Sequence, residues 1–368
     1  MKRLIVGFAI AVAYFTSIQM AVKIAAAGEV ASGFVTCMNV LSDSNLALGI
    51  YGNRDCSLVV ANHSGRVFQT AKLADERLRN FMRTPLNDQG FVICGASSPR
   101  SDAQAVGIEG GEISIWNAVT NGFSHVGRHP PRVLCLGWSA TGVLASGGLD
   151  GKVILWDLAT KKNRSIEVTH EHGVRSIAFS PDGSLIASGG EDGKICVTSM
   201  SDEKSSVVLE TPSHTPIDSL TFIGNSDMLA SGDTSGNLVL WDTNSGKKLG
   251  RLGDSIFAVA NLVPVAGNSG DPAFLLSSHN NGMVRLWDVR TKKEIDSVNL
   301  HCGMIRALAY DKRTNIIHVA SVNVGLLALR FGEQELLQID PMPPMQLHED
   351  ASIRRIQRNL FKTRVENR

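Results

Sequence analysis

An all-β fold is predicted for this chain, arranged as a seven-bladed β-propeller of four-stranded antiparallel blades. Seven glycines recur at intervals of 46, 40, 42, 43, 46 and 43 residues, a period typical of propeller blades. Most of them follow a turn-forming residue, and short apolar runs flank them on both sides. The seven glycines are Gly65, Gly111, Gly151, Gly193, Gly236, Gly282 and Gly325.

Each recurring glycine is expected in a tight hairpin turn. The preceding residue is Ser, Gly, Asp or Asn in six of the seven copies, and Val324 is the exception. Asp-Gly, Asn-Gly and Gly-Gly pairs supply the positive φ angles that two-residue hairpin turns require. We therefore place each glycine at the second position of such a turn.

The flanking runs predict the strands. In the clearest copy VLASG precedes the turn, KVILW follows it, and RVLCLGW at 132–138 lies upstream; similar upstream runs begin at 174, 217 and 305. With a weaker fourth run, each period contains the four strands of one blade. The ring is expected to span 33–340. Its last blade takes its outer strand either from 33–40, which would pair the two ends of the chain, or from 334–339.

The amino-acid sequence around the turns resembles that of the WD-repeat family. LWDLAT, LWDTNS and LWDVRT contain Trp156, Trp241 and Trp287, and IWNAVT contains Trp116 with Asn in place of Asp. SPDGSLIASGGEDGKI is a specific text of that family, and the resemblance covers roughly residues 40–340. It implies a non-catalytic scaffold or adaptor subunit whose partners are other proteins in a complex.

The resemblance also implies a polar network within a blade, which joins a histidine, a serine, an aspartate and a tryptophan. In the clearest copy these residues are His129, Ser146, Asp150 and Trp156. Three members persist in the next copy as His172, Ser188 and Asp192. Thr198 replaces the tryptophan there, so we expect that blade to be held by packing alone.

The first strand of each period is expected to begin near the mouth of the central channel, where partners would bind. Aligning these strands on their apolar alternation places four side chains at equivalent positions: Arg175, Asp218, Phe257 and Arg306. Arginine and aromatic side chains are enriched in binding hot spots. The alternative is that they are ordinary rim residues, or that Phe257 turns into the core.

Residues 341–368 predict a proline spacer followed by a basic amphipathic helix. Its apolar positions are Ile353, Ile356, Leu360 and Phe361, and the basic ones include Arg354, Arg355 and Arg358. Such a helix docks on a partner, on acidic lipid or on RNA phosphates, or packs on the side of the propeller. Nucleic acid is not expected to bind elsewhere, because the net charge of the chain is only +1.

Residues 1–30 form an apolar N-terminal segment, in which 4–22 is an uncharged run of 19 residues after Lys2 and Arg3. Its length fits a membrane anchor, its basic start fits a signal peptide, and its composition also fits an extra strand or helix buried against the propeller. These three interpretations stay open. An anchor would bring the propeller into contact with a membrane.

The six cysteines show no CxxC spacing, which favours reduced core residues in a cytoplasmic, reducing compartment over an organelle lumen. P-loop, GxSxG and HExxH motifs are absent from the sequence, so no catalytic, cofactor-binding or metal-binding residue is expected. Two alternatives to a soluble scaffold are a membrane-anchored regulator of trafficking or nucleotide exchange, and a hydrolase or lactonase. The hydrolase is disfavoured because no ring of acidic metal ligands is visible.

Overall fold

The computed structural model describes residues 22–339. Within that range it leaves out residues 27–28, 42, 52–56, 62–66, 73–91, 109, 168–169, 203–205, 212, 225–226, 254, 267–271, 322–324 and 332–336. All regular elements in the described part of the chain are β-strands, so the predicted all-β class is confirmed.

The strands form an N-terminal sheet and six four-stranded blades. The N-terminal sheet contains β1 (Val22–Ala26), β2 (Glu29–Val40), β3 (Leu46–Tyr51), β4 (Ser57–Ala61) and β5 (Val67–Lys72). Blade 1 contains β6 (Val92–Ser97), β7 (Ala103–Ile108), β8 (Glu112–Asn117) and β9 (Gly122–Arg128). Blade 2 contains β10 (Val133–Trp138), β11 (Leu144–Gly148), β12 (Val153–Asp157) and β13 (Lys162–Ile166). Blade 3 contains β14 (Val174–Phe179), β15 (Leu185–Gly190), β16 (Lys194–Ser199) and β17 (Ser206–Glu210).

Blades 4 to 6 repeat this order. Blade 4 contains β18 (Ile217–Ile223), β19 (Met228–Asp233), β20 (Leu238–Asp242) and β21 (Lys248–Arg251). Blade 5 contains β22 (Val259–Ala266), β23 (Pro272–His279), β24 (Met283–Asp288) and β25 (Lys293–Asn299). Blade 6 contains β26 (Ile305–Asp311), β27 (Ile316–Ser321), β28 (Gly325–Phe331) and β29 (Leu337–Ile339). We call the four strands of a blade inner, second, third and outer, because the inner strands of neighbouring blades contact one another around the centre of the ring.

The prediction of seven four-stranded blades is wrong in its number, since the structure has six. The remaining sheet has five strands and closes into a barrel, in which β1 pairs with β2 and, at Ala26, with β5. The cause is the length of β2, whose 12 residues extend past β3 and leave its first half to pair with an extra strand. The second half of β2 packs on both sides, with Met38 against blade 6 and Cys37 against blade 1. The N-terminal sheet therefore fills the gap between the last blade and the first.

Packing closes the ring at this point. Of the two alternatives for the outer strand of the last blade, 33–40 is excluded, because the described residues 34–40 lie in β2 and pair with β3. The outer strand of blade 6 is β29, which lies in the alternative segment 334–339 and pairs with β28. Val35 and Leu48 pack against Ala307 and Ala320 of blade 6, so side chains join the two ends of the propeller.

The recurring glycines lie in turns, but at a different position from the predicted one. The Gly151 N–H donates to the Gly148 carbonyl oxygen at 3.3 Å, which makes Gly151 the fourth residue of its turn and not the second of a two-residue hairpin. Its φ is +78°, and four other turn glycines share a positive φ. Gly325 differs because it begins β28, and Gly65 lies outside the described residues.

A repeated hydrogen bond joins successive inner strands. The third residue of one inner strand donates to the carbonyl oxygen of the first residue of the next, as Ser176 Oγ does to Ile217 at 3.0 Å. Cys135 Sγ and Ser219 Oγ make the same bond at 3.4 and 3.3 Å. Burial raises the pKa of Cys135 to about 12, which keeps its thiol protonated as a donor.

The predicted terminal segments fall mostly outside the described residues. Residues 4–21 and the predicted basic helix within 341–368 are not described, and Val22 begins β1. A search of the described residues for a helix long and apolar enough to cross a membrane finds none. The five described cysteines are free; Cys94 is half-buried and the other four are buried.

Candidate protein-interaction face and the networks beneath it

One end of the blades gathers the turns between second and third strands and the loops that enter the inner strands. In blade 2 the Leu149 N–H of such a turn donates to the Arg132 carbonyl oxygen of such a loop at 2.9 Å, and blades 3, 4 and 5 repeat this bond. We call this end the turn face. The opposite end, which carries the other two turns of each blade, is the hairpin face.

Under the turn face of blade 2, the structure brings together the four side chains singled out in the sequence. Trp156 Nε1 donates to Ser146 Oγ at 2.9 Å, and that hydroxyl lies 2.7 Å from His129 Nδ1. His129 Nε2 lies 3.1 Å from Asp150 Oδ1. Because a carboxylate only accepts, Nε2 of His129 carries the proton, and the hydroxyl of Ser146 donates to Nδ1. Every donor in this buried chain therefore has an acceptor.

Blade 3 keeps most of this network with a different histidine from the predicted one. His170 Nε2 lies 2.8 Å from Ser188 Oγ, and its Nδ1 lies 3.2 Å from Asp192 Oδ1. His172, the predicted member, is exposed. The expectation that packing alone holds this blade is thus wrong for its histidine, serine and aspartate. Thr198 does replace the tryptophan, and its buried hydroxyl finds no hydrogen-bond partner among the described residues.

Thr198→Val is therefore expected to leave the free energy of unfolding unchanged or to raise it by about 1 kcal/mol. Valine has nearly the same shape, and it removes a polar group that is buried without a partner. Urea unfolding checks this result, with Ser188→Ala as the control that removes a paired hydroxyl of the same blade. A loss of stability in Thr198→Val as large as that in Ser188→Ala would show that the threonine is paired.

Blades 4 and 5 build the network from other residues, which sequence reasoning missed. In the loop, serine takes the place of the histidine: Ser213 in blade 4 and Ser255 in blade 5. At the end of the second strand, the glycine of blades 2 and 3 is replaced by Asp233 in blade 4 and by His279 in blade 5. Ser213 Oγ donates to Asp233 Oδ2 at 2.7 Å. His279 Nε2 lies 3.1 Å from Ser277 Oγ, which accepts from Trp287 Nε1 at 2.8 Å.

In blade 5 the imidazole of the network therefore comes from the turn between the second and third strands and not from the loop before the inner strand. In blades 2 and 3 the loop histidine occupies the space that a side chain at Gly148 or Gly190 would need. When the loop residue is serine, that space is free for His279. The sequence signal for this exchange is the loss of the glycine at the turn together with the loss of the histidine in the loop.

The grouping of Ser, His and Asp has the connectivity of a catalytic triad, but its hydroxyls are inaccessible. Ser146, Ser188 and Ser277 are each at most 1% exposed. A nucleophile needs open space for a substrate carbonyl beside its oxygen. In blades 2 and 5 the serine oxygen also accepts an indole N–H. These networks therefore stabilise blades.

Burial of the network histidines predicts a loss of stability in mild acid. Burial lowers the pKa of both His129 and His279, against opposing contributions from Asp150 and the Phe257 carbonyl. A lowered pKa contributes stability above about 6.5, the pKa of histidine in unfolded chains, and that stability is lost as the pH falls. His170 acts in the opposite sense: burial lowers its pKa, but Cys196 and Asp192 together raise it by more, so the pKa lies above the ordinary value.

His279→Gln is expected to flatten the decline in the free energy of unfolding between pH 7.5 and 5.5, by up to about 1.4 kcal/mol per pH unit. Urea unfolding at the two pH values measures this difference. His301→Gln is the control, since His301 is exposed. If both variants keep the pH dependence of the wild type, the buried imidazole does not couple to folding.

On the surface of the turn face, two of the predicted partner-binding residues form an ion cluster. Arg175 Nε donates to Asp218 Oδ1 at 2.7 Å, and an Arg175 NH group lies 3.4 Å from Glu191 Oε1. Arg175 and Asp218 are the second residues of β14 and β18, and Arg306 has the same position in β26. One arginine is therefore shared between two carboxylates, with its side chain 41% exposed.

The predicted equivalence of Phe257 with these residues is wrong. Phe257 lies in the loop two residues before β22, and Ala260 takes the equivalent position. The cause is that the apolar residues Ile256 and Ala258 precede Val259 in the loop, so apolar alternation alone fits 256–258 as well as it fits the start of β22. Phe257 is 43% exposed, so it does not turn into the core. Arg354, Arg355 and Arg358 lie outside the described residues.

The turn face carries exposed apolar side chains. Of the seven large hydrophobic side chains that are exposed among the described residues, three lie there: Leu149, Ile256 and Phe257. The side chains of Leu134 and Glu191 lie close to Leu149, because all three residues approach Gly173. A β-carbon on this glycine would lie 2.8 Å from Leu134 Cδ1 and 3.4 Å from the carboxyl carbon of Glu191. This end of the molecule therefore combines apolar and charged groups, as protein-binding surfaces do.

Three consecutive stretches of this chain match a known repeat family. The WD domain, G-beta repeat family matches residues 123–157, 163–199 and 205–242. Each match begins at or near the outer strand of one blade and ends in the third strand of the next. The sequence repeat is thus offset by one strand from the blade, so every repeat links two blades.

Three curated proteins are similar over parts of their length. Protein transport protein SEC31 of Coccidioides immitis is 32% identical over 30% of this chain and 9% of its own length. Transducin beta-like protein 3 of Bos taurus is 25% identical over 75% of this chain and 33% of its own length. SIR4-interacting protein SIF2 of Saccharomyces cerevisiae is 22% identical over 83% and 62%. The chain therefore spans less than two thirds of each of them.

A solved structure shows the same fold. A chain in the crystal structure of the mitotic checkpoint complex superimposes with a TM-score of 0.67 at 18% identity, covering 86% of this chain and 92% of that one. At this identity the likeness concerns the fold alone. Three consecutive stretches of the chain thus match the WD domain, G-beta repeat family, and the chain folds as a β-propeller with six blades of four antiparallel strands.

Proposed function

We propose that this chain is a non-catalytic scaffold that binds other proteins through the turn face of its propeller. The observation that carries the proposal is the exposure of Leu149, Ile256 and Phe257 at that face, at 45%, 86% and 43%. Folding gives these side chains no reason to be apolar, whereas burial against a partner does. The charged cluster around Arg175 lies among the same loops and supplies polar contacts for specificity.

The name of one similar protein supports a role in assemblies. SIF2 is described as a SIR4-interacting protein. The buried hydroxyls of the blade networks support a non-catalytic role, because the grouping most like a catalytic triad cannot reach a substrate. Binding, and not chemistry, is the activity that these features favour.

The test is affinity capture of the tagged chain with and without the substitutions Leu149→Ser, Ile256→Ser and Phe257→Ser. We expect the triple variant to keep the melting temperature of the wild type, because all three side chains are exposed, and to lose at least one co-purifying protein. The matched control places serine at Val119, Val207 and Val208, which are exposed away from the turn face. An unchanged set of co-purifying proteins in the turn-face variant, or equal losses in both variants, would refute the proposal.

A membrane-anchored regulator of trafficking is the second candidate. It is favoured by the 32% identity between 30% of this chain and protein transport protein SEC31. In this version the segment 4–22 tethers the propeller, and the turn face still binds the partner. Carbonate extraction separates the two candidates. Retention of the chain in the membrane pellet supports the anchored version, and release into the supernatant excludes it.

A further inference from the structure

The turn face of blades 3 and 4 carries an excess of negative charge. The segments 170–176, 190–194, 210–218 and 233–237 together contain six carboxylates and two cations. We call these eight residues the acidic turn surface, of which Asp192 and Asp233 are nearly buried and lie beneath the others: Glu171, Glu191, Asp192, Glu210, Asp218, Asp233, Arg175 and Lys194. Lys194 Nζ is paired with Glu171 Oε1 at 2.8 Å, so Arg175 is left to serve both Glu191 and Asp218.

Asp218 is a carboxylate of this surface that lies close to other carboxylates. Burial raises its pKa, Arg175 opposes the rise, and the neighbouring carboxylates of Asp233 and Glu191 add to it. Burial is the largest of these causes, and the two carboxylates add to it in the direction opposite to the guanidinium. The acidic turn surface therefore suits a ligand that brings additional cations.

An apolar shelf adjoins the acidic turn surface. Gly173 is surrounded by Leu134 and Leu149 of blade 2 and by Glu191 of blade 3. Each of these residues has an atom within 3.4 Å of the place that a β-carbon on Gly173 would take. On the other side, the loop of Ile256 and Phe257 borders the turn of blade 4, where Gly236 approaches the Phe257 carbonyl oxygen. The complementary ligand is a segment with apolar anchors among several basic residues.

This chain itself contains such a segment. Residues 353–364 carry apolar side chains at 353, 356, 360 and 361, and basic ones at 354, 355, 358, 362 and 364. Five positive charges and no negative one in this stretch match the excess of four carboxylates on the acidic turn surface. The match holds in both charge and apolar content.

The segment is within reach. β29 is antiparallel to β28, and β28 starts from the turn face, so the chain runs back toward the turn face as far as Ile339. The 14 residues from there to Ile353 span up to about 45–50 Å when extended. Blade 3 is three blades away, about 30 Å at the usual spacing of roughly 10 Å between packed sheets.

We propose that the basic segment 353–364 docks on the acidic turn surface of its own propeller. Its arginines and Lys362 approach Glu191 and Asp218, and its apolar side chains cover Leu134 and Leu149. Tethering gives the segment an effective concentration on the order of millimolar. This inference rests on the proposed function in one respect: the docked segment covers part of the face that partners use, and so competes with them.

Photo-cross-linking in the full-length chain tests the docking, with p-benzoylphenylalanine in place of Phe361. Unlabelled and 15N-labelled chains are mixed before irradiation, so that adducts within one chain are distinguished from adducts between chains. We expect within-chain adducts to peptides of 130–151, 170–194 and 210–237. Adducts only between chains, or only to other parts of the propeller, would overturn the proposal.

Charge reversal provides the second arm. Replacing Arg354, Arg355 and Arg358 by Glu should reduce the yield of the within-chain adduct about fivefold or more, since several ion pairs become repulsive. The matched control reverses Lys247, Lys248 and Lys293 on the hairpin face, where all three are exposed, and should keep the wild-type yield. Equal yields from the two reversed chains would contradict electrostatic docking.

Partner capture separates this inference from the proposed function. If the segment competes with partners, the Arg354, Arg355 and Arg358 reversal raises the recovery of co-purifying proteins, and unchanged recovery overturns the competition. If the adduct forms while the serine variant at Leu149, Ile256 and Phe257 still captures every partner, the docking stands and the proposed function fails. If that serine variant loses partners but no adduct forms, the proposed function stands and the docking fails.

Discussion

Gly151→Ala is expected to lower the free energy of unfolding by about 3 kcal/mol. Gly151 has a φ of +78°, which costs a residue with a β-carbon about 1 kcal/mol. A β-carbon there would also lie 2.6 Å from the carbonyl oxygen of His170, in the loop that carries the histidine of the blade 3 network. That loop has to move, and the hydrogen bonds of His170 move with it. Urea unfolding measures the effect.

Gly110→Ala is the matched control for this prediction. Gly110 has a φ of +95°, and no described residue other than its chain neighbours has an atom within 4 Å of the place where the β-carbon of an alanine would be. Only the backbone strain remains, so we expect a loss of about 1 kcal/mol. Equal losses in the two variants would contradict the close packing of the His170 loop against Gly151.

Trp156→Phe is expected to cost roughly 2–3 kcal/mol. It removes the indole donor of the Ser146 hydroxyl, which is fully buried, and leaves that oxygen one hydrogen bond short. It also removes part of a ring that packs on blade 1, where Gly127 approaches it too closely for any β-carbon. Thermal or urea unfolding of the variant checks the loss.

The same substitution at Trp138 serves as the control, because both tryptophans belong to blade 2. Trp138 Nε1 is buried without a hydrogen-bond partner among the described residues. Trp138→Phe therefore removes no hydrogen bond, and we expect a cost of less than about 1 kcal/mol. A larger loss at Trp138 than at Trp156 would refute the account of the blade 2 network.

The repeated part of the fold was predictable because its signals are local. Turn glycines, apolar alternation and the Trp-Asp text all lie within one period, and they locate the inner strands β10, β14, β18 and β26 closely. The N-terminal sheet was not predictable in this way. Its departure from four strands follows from the length of β2 and from its pairing with β1, and neither feature carries a repeat signal.

The blade networks show the same limit. The members in blade 2 follow from the family resemblance, but His170 was mistaken for His172, because both histidines lie in one short loop and spacing alone does not choose between them. His279 escaped notice because its imidazole reaches the serine from the turn and not from the loop. Apolar alternation misaligns Phe257 because Ile256 and Ala258 in the loop continue the apolar pattern of β22 toward the N-terminus.

The measurement that tests the central claim most directly is hydrogen–deuterium exchange of the chain, alone and in the complex recovered by affinity capture. Binding at the turn face predicts slower exchange in the loops 129–134, 170–176, 213–219 and 255–261 when the partner is present. The turns of the hairpin face, such as 139–143, 180–184 and 243–247, should keep their exchange rates. Protection confined to those hairpin-face turns, with the turn-face loops unchanged, would contradict the account.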